Sequence, residues 1–181
     1  KSEVVLAVQS GRAIRFPEDE VRPMGRNAAG VRGISLDSDK DEVVGMVCLD
    51  DAEEKTLLVV SENGYGKRSN IDEYRITRRG GKGVKTLNVT SKTGKLVSVK
   101  KVADQDDLMI INKSGIMIRT PVSNLRVMGR ATQGVRLIRL NDDDSIASVT
   151  KVEIEDDIPS EIQEEITNTS TDKPTSEEET D

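Results

Sequence analysis

The stretch of the chain best suited to chemistry is Tyr74-Arg75-Ile76-Thr77-Arg78-Arg79-Gly80-Gly81-Lys82-Gly83-Val84. Three cations and three glycines fall within the six residues 78–83. Glycine lets a backbone turn tightly and leaves its N–H groups uncovered, and flanking Arg and Lys add full positive charge. The ligand that suits such a loop is a row of phosphates. The same glycines also serve a plain hairpin turn, so the loop has to be weighed with the rest of the chain.

That wider context is a gapless internal repeat. Residues 4–36, 57–89 and 108–140 are successive copies, offset by 53 and then 51 positions. Gly11, Gly64 and Gly115 correspond, each between two apolar runs, and read as hairpin turns. Gly30, Gly83 and Gly134 correspond as well, each followed by valine. A second register joins Val43-Val44-Gly45-Met46-Val47, Leu96-Val97-Ser98-Val99 and Ile146-Ala147-Ser148-Val149. Apolar runs such as Leu57-Leu58-Val59-Val60 and Leu108-Met109-Ile110-Ile111 are short and bounded by Gly, Asn or Asp, which predicts strands. About four short strands per ~50 residues is a blade of a propeller-like, all-β architecture. In each copy the expected order is hairpin, basic turn, a further run (residues 31–36 in the first) and a strand before the next copy. Pro17 and Pro121 are expected to stop their strands, because proline cannot donate to a ladder.

Four positions are basic in all three copies: Arg15, Arg68 and Arg119; Arg22, Arg75 and Arg126; Arg26, Arg79 and Arg130; and Arg32, Lys85 and Arg136. Equivalent positions in a repeat point in equivalent directions, so these side chains are expected to form one ring or stripe. Lys67, Arg78 and Lys82 add to the candidate set. Aromatic residues are scarce (two Tyr, one Phe, no Trp) and do not recur at one position. That disfavours single-strand readers, which stack bases on aromatic platforms. Arginines at fixed intervals instead suit double-stranded DNA held by its phosphates with little base reading.

The net charge of −6 conceals a division. From Glu153 onward there are 12 acids and one base, which leaves residues 1–152 with 21 acids and 26 bases, a net of +5. The domain expectation is a bladed body over 1–154, closed by a strand at 146–152, with a mostly disordered acidic tail over 155–181. Ile154, Ile158, Ile162 and Ile166 recur every fourth residue, with Ser160 placed to cap a short helix starting near Glu161, and the tail's charge would compete with a polyanion for the basic surface.

Several chemistries are excluded. The chain has no His, which removes His-based triads and His metal sites, and its single Cys48 cannot build a thiolate zinc cluster. Cys48 lies in an apolar run and is expected to be buried. Gly64-Tyr65-Gly66-Lys67-Arg68-Ser69 fails as a Walker A loop, since Arg68 follows the lysine where Ser or Thr is required. The acidic runs at 104–107 and 142–144 offer oxygen ligands for a hard cation but read first as solvated loops. No run approaches the ~18 apolar residues of a membrane span.

At these residues the chain resembles the C-terminal DNA-wrapping domain of bacterial DNA gyrase A. The resemblance covers residues 1–154. It rests on Asn63-Gly64-Tyr65-Gly66-Lys67-Arg68, on Arg78-Arg79-Gly80-Gly81-Lys82-Gly83, on the Met-Gly-Arg turns at 24–26 and 128–130, and on Arg130-Ala131-Thr132-Gln133-Gly134-Val135-Arg136. It implies roughly three blades of a six-bladed β-pinwheel that wraps duplex DNA on a basic rim. It further implies a non-catalytic fragment of a cytoplasmic, ATP-dependent type IIA topoisomerase that introduces negative supercoils. The partners implied are gyrase B and a second copy of gyrase A, with ATP and Mg²⁺ bound by other parts and no cofactor here. Thr77 stands where the family's box normally has Gln, and this box-like loop lies in the second copy, which places the defining box upstream. The homologous domain of topoisomerase IV and a propeller-type protein scaffold are the alternative readings.

Overall fold

The computed structural model describes residues 2–50 and 56–152; Ile154 and the acidic tail, with the expected helix, lie outside them. Its strands are β1 (Glu3–Val8), β2 (Arg12–Pro17), β3 (Val43–Leu49), β4 (Thr56–Ser61), β5 (Tyr65–Asn70), β6 (Val84–Lys85), β7 (Leu96–Val102), β8 (Asp107–Asn112), β9 (Met117–Pro121), β10 (Val135–Arg136) and β11 (Ile146–Val152). They form three antiparallel sheets, ordered β3-β1-β2-β6, β10-β5-β4-β7 and β11-β8-β9. We call these blades one, two and three.

Each blade is built on a hairpin whose register is set at its glycine turn. In blade one Val8 faces Arg12 and Glu3 faces Pro17. Gly11, Gly64 and Gly115 hold φ of 82°, 77° and 89°, a left-handed conformation that only glycine adopts without strain. The prolines act as expected: β2 ends at Pro17 and β9 at Pro121, each followed by a single 3-10 turn.

One element of the connectivity departs from the one-copy, one-blade expectation. The fourth strand of blade one is β6, which belongs to the second copy and pairs Arg12 with Lys85 and Ala13 with Val84. Likewise β10 of the third copy completes blade two, pairing Val135 with Gly66 and Arg136 with Tyr65. Residues 31–36, the expected further run of the first copy, form no regular strand. The turn glycines make the exchange possible. A Cβ at Gly83 would meet the Ala13 carbonyl, and one at Gly134 the Gly66 carbonyl.

The core lies between blades. Along β4 the side chains alternate and both faces are covered: Leu57 and Val59 pack with Val5, Ala7 and Val47 of blade one, while Leu58 and Val60 pack with Leu108 and Ile110 of blade three. A strand buried on both sides explains the unbroken apolar run at this point. Burying each of these side chains contributes roughly 1.5–3 kcal/mol, so the blades hold one another in place. Two expectations are corrected. Cys48 is exposed, because Val47 and Leu49 take the inward positions of β3. The acidic runs are structural ligands, not merely solvated loops: Asp106 and Asp107 are buried, Asp106 accepts from the Ala103 N–H at 2.8 Å, and Asp144 accepts from Asn112 and Ser114.

Candidate nucleic-acid interface

The basic loop of the second copy is held at both ends. Tyr74, 1% exposed, places its hydroxyl 2.5 Å from Thr86 Oγ1 and closes the loop across its base. Burial pushes the Tyr74 phenol pKa up, which keeps it a neutral hydrogen-bonding group. Between those ends the backbone lies on blade one. Thr77 N–H donates to the Arg15 carbonyl at 2.8 Å, Gly80 N–H to the Gly33 carbonyl at 2.6 Å, and Ser35 Oγ to the Gly80 carbonyl at 2.6 Å. Arg79 is also committed. Its N–H donates to Glu20 Oε2 at 2.8 Å, and its guanidinium donates to the carbonyls of Glu20 and Arg32.

The third copy repeats the design one blade further on. Arg130 N–H donates to Glu73 Oε2 and its guanidinium to the Lys85 carbonyl, both at 2.8 Å. Lys67 supports this loop from beneath. It is fully buried, and its amine donates to the Gly129 carbonyl at 2.6 Å and to Thr132 Oγ1 at 3.1 Å. Burial lowers its pKa to about 8. Loop-to-loop hydrogen bonds therefore join the basic segments of all three copies into one continuous strip.

The candidate cations divide by environment. Arg22, Arg26, Arg32, Arg75, Arg78, Lys85, Arg126 and Arg136 are exposed and form no ion pair among the described residues. Lys82 is exposed too, with Asp37 at 3.8 Å. The position shared by Arg15, Arg68 and Arg119 behaves differently, so the four basic positions do not make one stripe. Arg15 binds Glu3 at 2.5 Å and donates to the carbonyls of Ile71 and Tyr74 in the next blade. Arg68, 7% exposed, binds the equivalent Leu125 carbonyl and Asp104. Arg119 pairs with Asp107 at 2.5 Å and stays half exposed. Arg15, Arg68 and Lys67 are thus struts between blades, and Arg79 and Arg130 tie loop to loop.

Sequence reasoning passed over Glu20 and Glu73, the acceptors that seat these loops. Their recurrence at one repeat position was the available signal. It also passed over the exposed cations Lys92 and Arg139, which have no basic counterpart in the other copies.

Comparison with known proteins agrees with this geometry. The family model described as "DNA gyrase C-terminal domain, beta-propeller" matches residues 2–50, 55–103 and 106–153, one match per repeat. The chain belongs to this family. As a gyrase C-terminal domain chain it is 43% identical over 171 residues to DNA gyrase A of Staphylococcus aureus (strain NCTC 8325 / PS 47), covering 94% of this chain and 19% of that protein. It is 44% identical over 155 residues to DNA gyrase A of Staphylococcus epidermidis, covering 86% of this chain and 17% of that one. The chain thus spans about a fifth of the length of these curated relatives. The solved structure of a DNA gyrase A C-terminal domain superposes with a TM-score of 0.76 at 30% identity, covering 84% of this chain and 51% of that one. A topoisomerase IV C-terminal domain superposes with a TM-score of 0.79 at 22% identity, covering 93% and 52%, a likeness of fold alone. No helix among the described residues is long and apolar enough to cross a membrane.

Proposed function

We propose that this gyrase C-terminal domain chain binds double-stranded DNA without sequence preference and bends it along the basic strip. The observation that carries the reading is the strip itself, with exposed, unpaired guanidinium groups on three loops hydrogen-bonded edge to edge. Arg, with its planar fork of donors, suits phosphate oxygens. Bending a 20–30 bp duplex by 40–90° costs of order 1–6 kcal/mol, so contacts have to be spread over several blades, as these cations are. In the whole protein the strip would serve gyrase A, part of an ATP-dependent type IIA topoisomerase of the cytoplasm that introduces negative supercoils. Gyrase B and a second copy of gyrase A would be its partners in an A2B2 assembly, with ATP and Mg²⁺ bound elsewhere. The residues placed on the DNA path are Arg22, Arg26, Arg32, Arg75, Arg78, Lys82, Lys85, Arg126 and Arg136.

The test is anisotropy of a labelled duplex across a salt series. Each phosphate neutralised contributes about −0.9 to the slope of log K against log salt. The nine cations on the path set an upper bound near −8 by the same relation. A slope near zero refutes the proposal. The bending claim is read separately, from topoisomer shifts of a relaxed plasmid closed in the presence of the protein.

A further inference from the structure

Tyr65 opens β5 of blade two, directly opposite Arg136 of β10 in the same sheet. Arg136 Nη2 donates to the Tyr65 hydroxyl at 2.9 Å, and its Cζ lies 5.5 Å from the ring centroid. Lys92 comes from the loop between β6 and β7 and places Nζ 5.4 Å from the same centroid. Asn63 Nδ2 fixes that loop by donating to the carbonyls of Ser91 at 3.3 Å and Lys92 at 3.2 Å. Two exposed cations therefore converge on one phenol ring that is only 8% exposed. Neither cation has a carboxylate partner among the described residues. Their proximity, the Arg136 hydrogen bond foremost, lowers the Tyr65 phenol pKa.

The repeat supplies an internal control. In blade one the positions equivalent to Tyr65 and Arg136 are Arg12 and Lys85, paired in the same register. There the loop carries Asp37 and Asp39; Asp37 Oδ2 accepts from Arg12 Nε at 2.9 Å, and Asp37 Oδ1 lies 3.8 Å from Lys82 Nζ. The second copy has Thr90 in place of Asp37 and Lys92 in place of Asp39. At one location in the fold, then, blade one provides its own counter-charge, whereas blade two has lost the acid and gained a base.

We propose that Lys92, Tyr65 and Arg136 form a phosphodiester seat peculiar to blade two, taking a backbone phosphate of duplex DNA as the counter-charge that blade one supplies from Asp37. The seat rests on the duplex-binding reading and adds Lys92 and Tyr65 to it. Both cations lie within 5.5 Å of the one ring centroid, so a single phosphodiester beside the ring is attracted by both.

The experiment is the salt series on the full chain with Lys92→Ala, Thr90→Asp and a control, Lys113→Ala, at an exposed lysine of the blade three hairpin turn. Losing one phosphate contact reduces the slope by about 0.9 and weakens binding to all sequences alike. Lys92→Ala is expected to do this, Thr90→Asp to match it by restoring blade one's acid, and Lys113→Ala to leave the slope in place. Asp37→Thr, the reverse exchange in blade one, is expected to steepen it. Unaltered slopes in both Lys92→Ala and Thr90→Asp, with the wild-type chain still binding steeply, overturn the seat and leave the duplex reading standing. Equal losses in Lys92→Ala and Lys113→Ala also overturn it, since net charge alone would then account for the effect. A wild-type chain with no salt-dependent binding overturns both.

Discussion

Arg68→Met and Arg78→Ala separate two kinds of arginine that look alike in the sequence. Arg68 is buried, with Nε donating to the Leu125 carbonyl of the next blade and Nη1 to Asp104. Methionine keeps much of the aliphatic volume but leaves Leu125 without its donor inside the seam. A hydrogen bond from a charged group is worth ~1.5–3 kcal/mol, and an orphaned buried acceptor costs a similar amount, so the loss should fall at ~2–4 kcal/mol. Asp104 adds little, because its side chain is 75% exposed and solvent screens the pair. Arg78, by contrast, is exposed and forms no ion pair among the described residues. Its removal should leave stability within about 0.5 kcal/mol while taking about 0.9 off the salt slope of duplex binding. Urea denaturation followed by circular dichroism reads the first quantity and labelled-duplex anisotropy the second. An Arg68→Met chain with the wild-type urea midpoint and a shallower salt slope would invert both assignments and refute the division between struts and contacts.

Gly83→Ala should lift β6 from β2, because φ is +69° there and the new Cβ meets the Ala13 carbonyl. The strain alone is of order 1–3 kcal/mol, and the check is lost amide-exchange protection at Thr86, whose N–H donates to the Gly11 carbonyl at 2.8 Å. Lys67 gives a pH dependence of definite sign. Its pKa falls from 10.5 to about 8 on folding, so across that window the unfolded chain holds a proton that the folded chain has released. Stability therefore rises with pH there, by on the order of 1–3 kcal/mol, and below the window the burial penalty persists in full. Lys67→Met should lack this rise, and the stability difference between the two chains, measured against pH, isolates it from every other titrating group.

Much of the frame could be read from residue types. The offset of 53 and then 51 positions, the glycines at 11, 64 and 115, and the proline stops at 17 and 121 each impose a local geometry that no neighbour can override. The strand exchange could not be read that way. Val84-Lys85 and Val135-Arg136 are too short to show any periodicity, and their partners are chosen by a carbonyl in another repeat. The inward turn of Arg15 and Arg68 was hidden for a different reason. A guanidinium recurs at a fixed position equally well whether it serves a phosphate or a carbonyl of the next blade, and the choice depends on whether a neighbouring blade covers it. Arg119, at the same position but half exposed, shows that dependence directly. Cys48 was misplaced because Val47-Cys48-Leu49 reads as continuous apolar sequence, whereas the pleat of β3 sends its middle residue outward.

Because β6 and β10 are lent backward, neither blade one nor blade two is finished by its own stretch of polypeptide. During synthesis on a ribosome, blade one waits with an open edge until residues 84–85 emerge, and blade two until residues 135–136 do. The segments that arrive late are also the ones that carry Lys85 and Arg136. Closing a blade and adding a cation to its own surface are thus a single assembly step, so that an unfinished chain carries an unfinished basic strip.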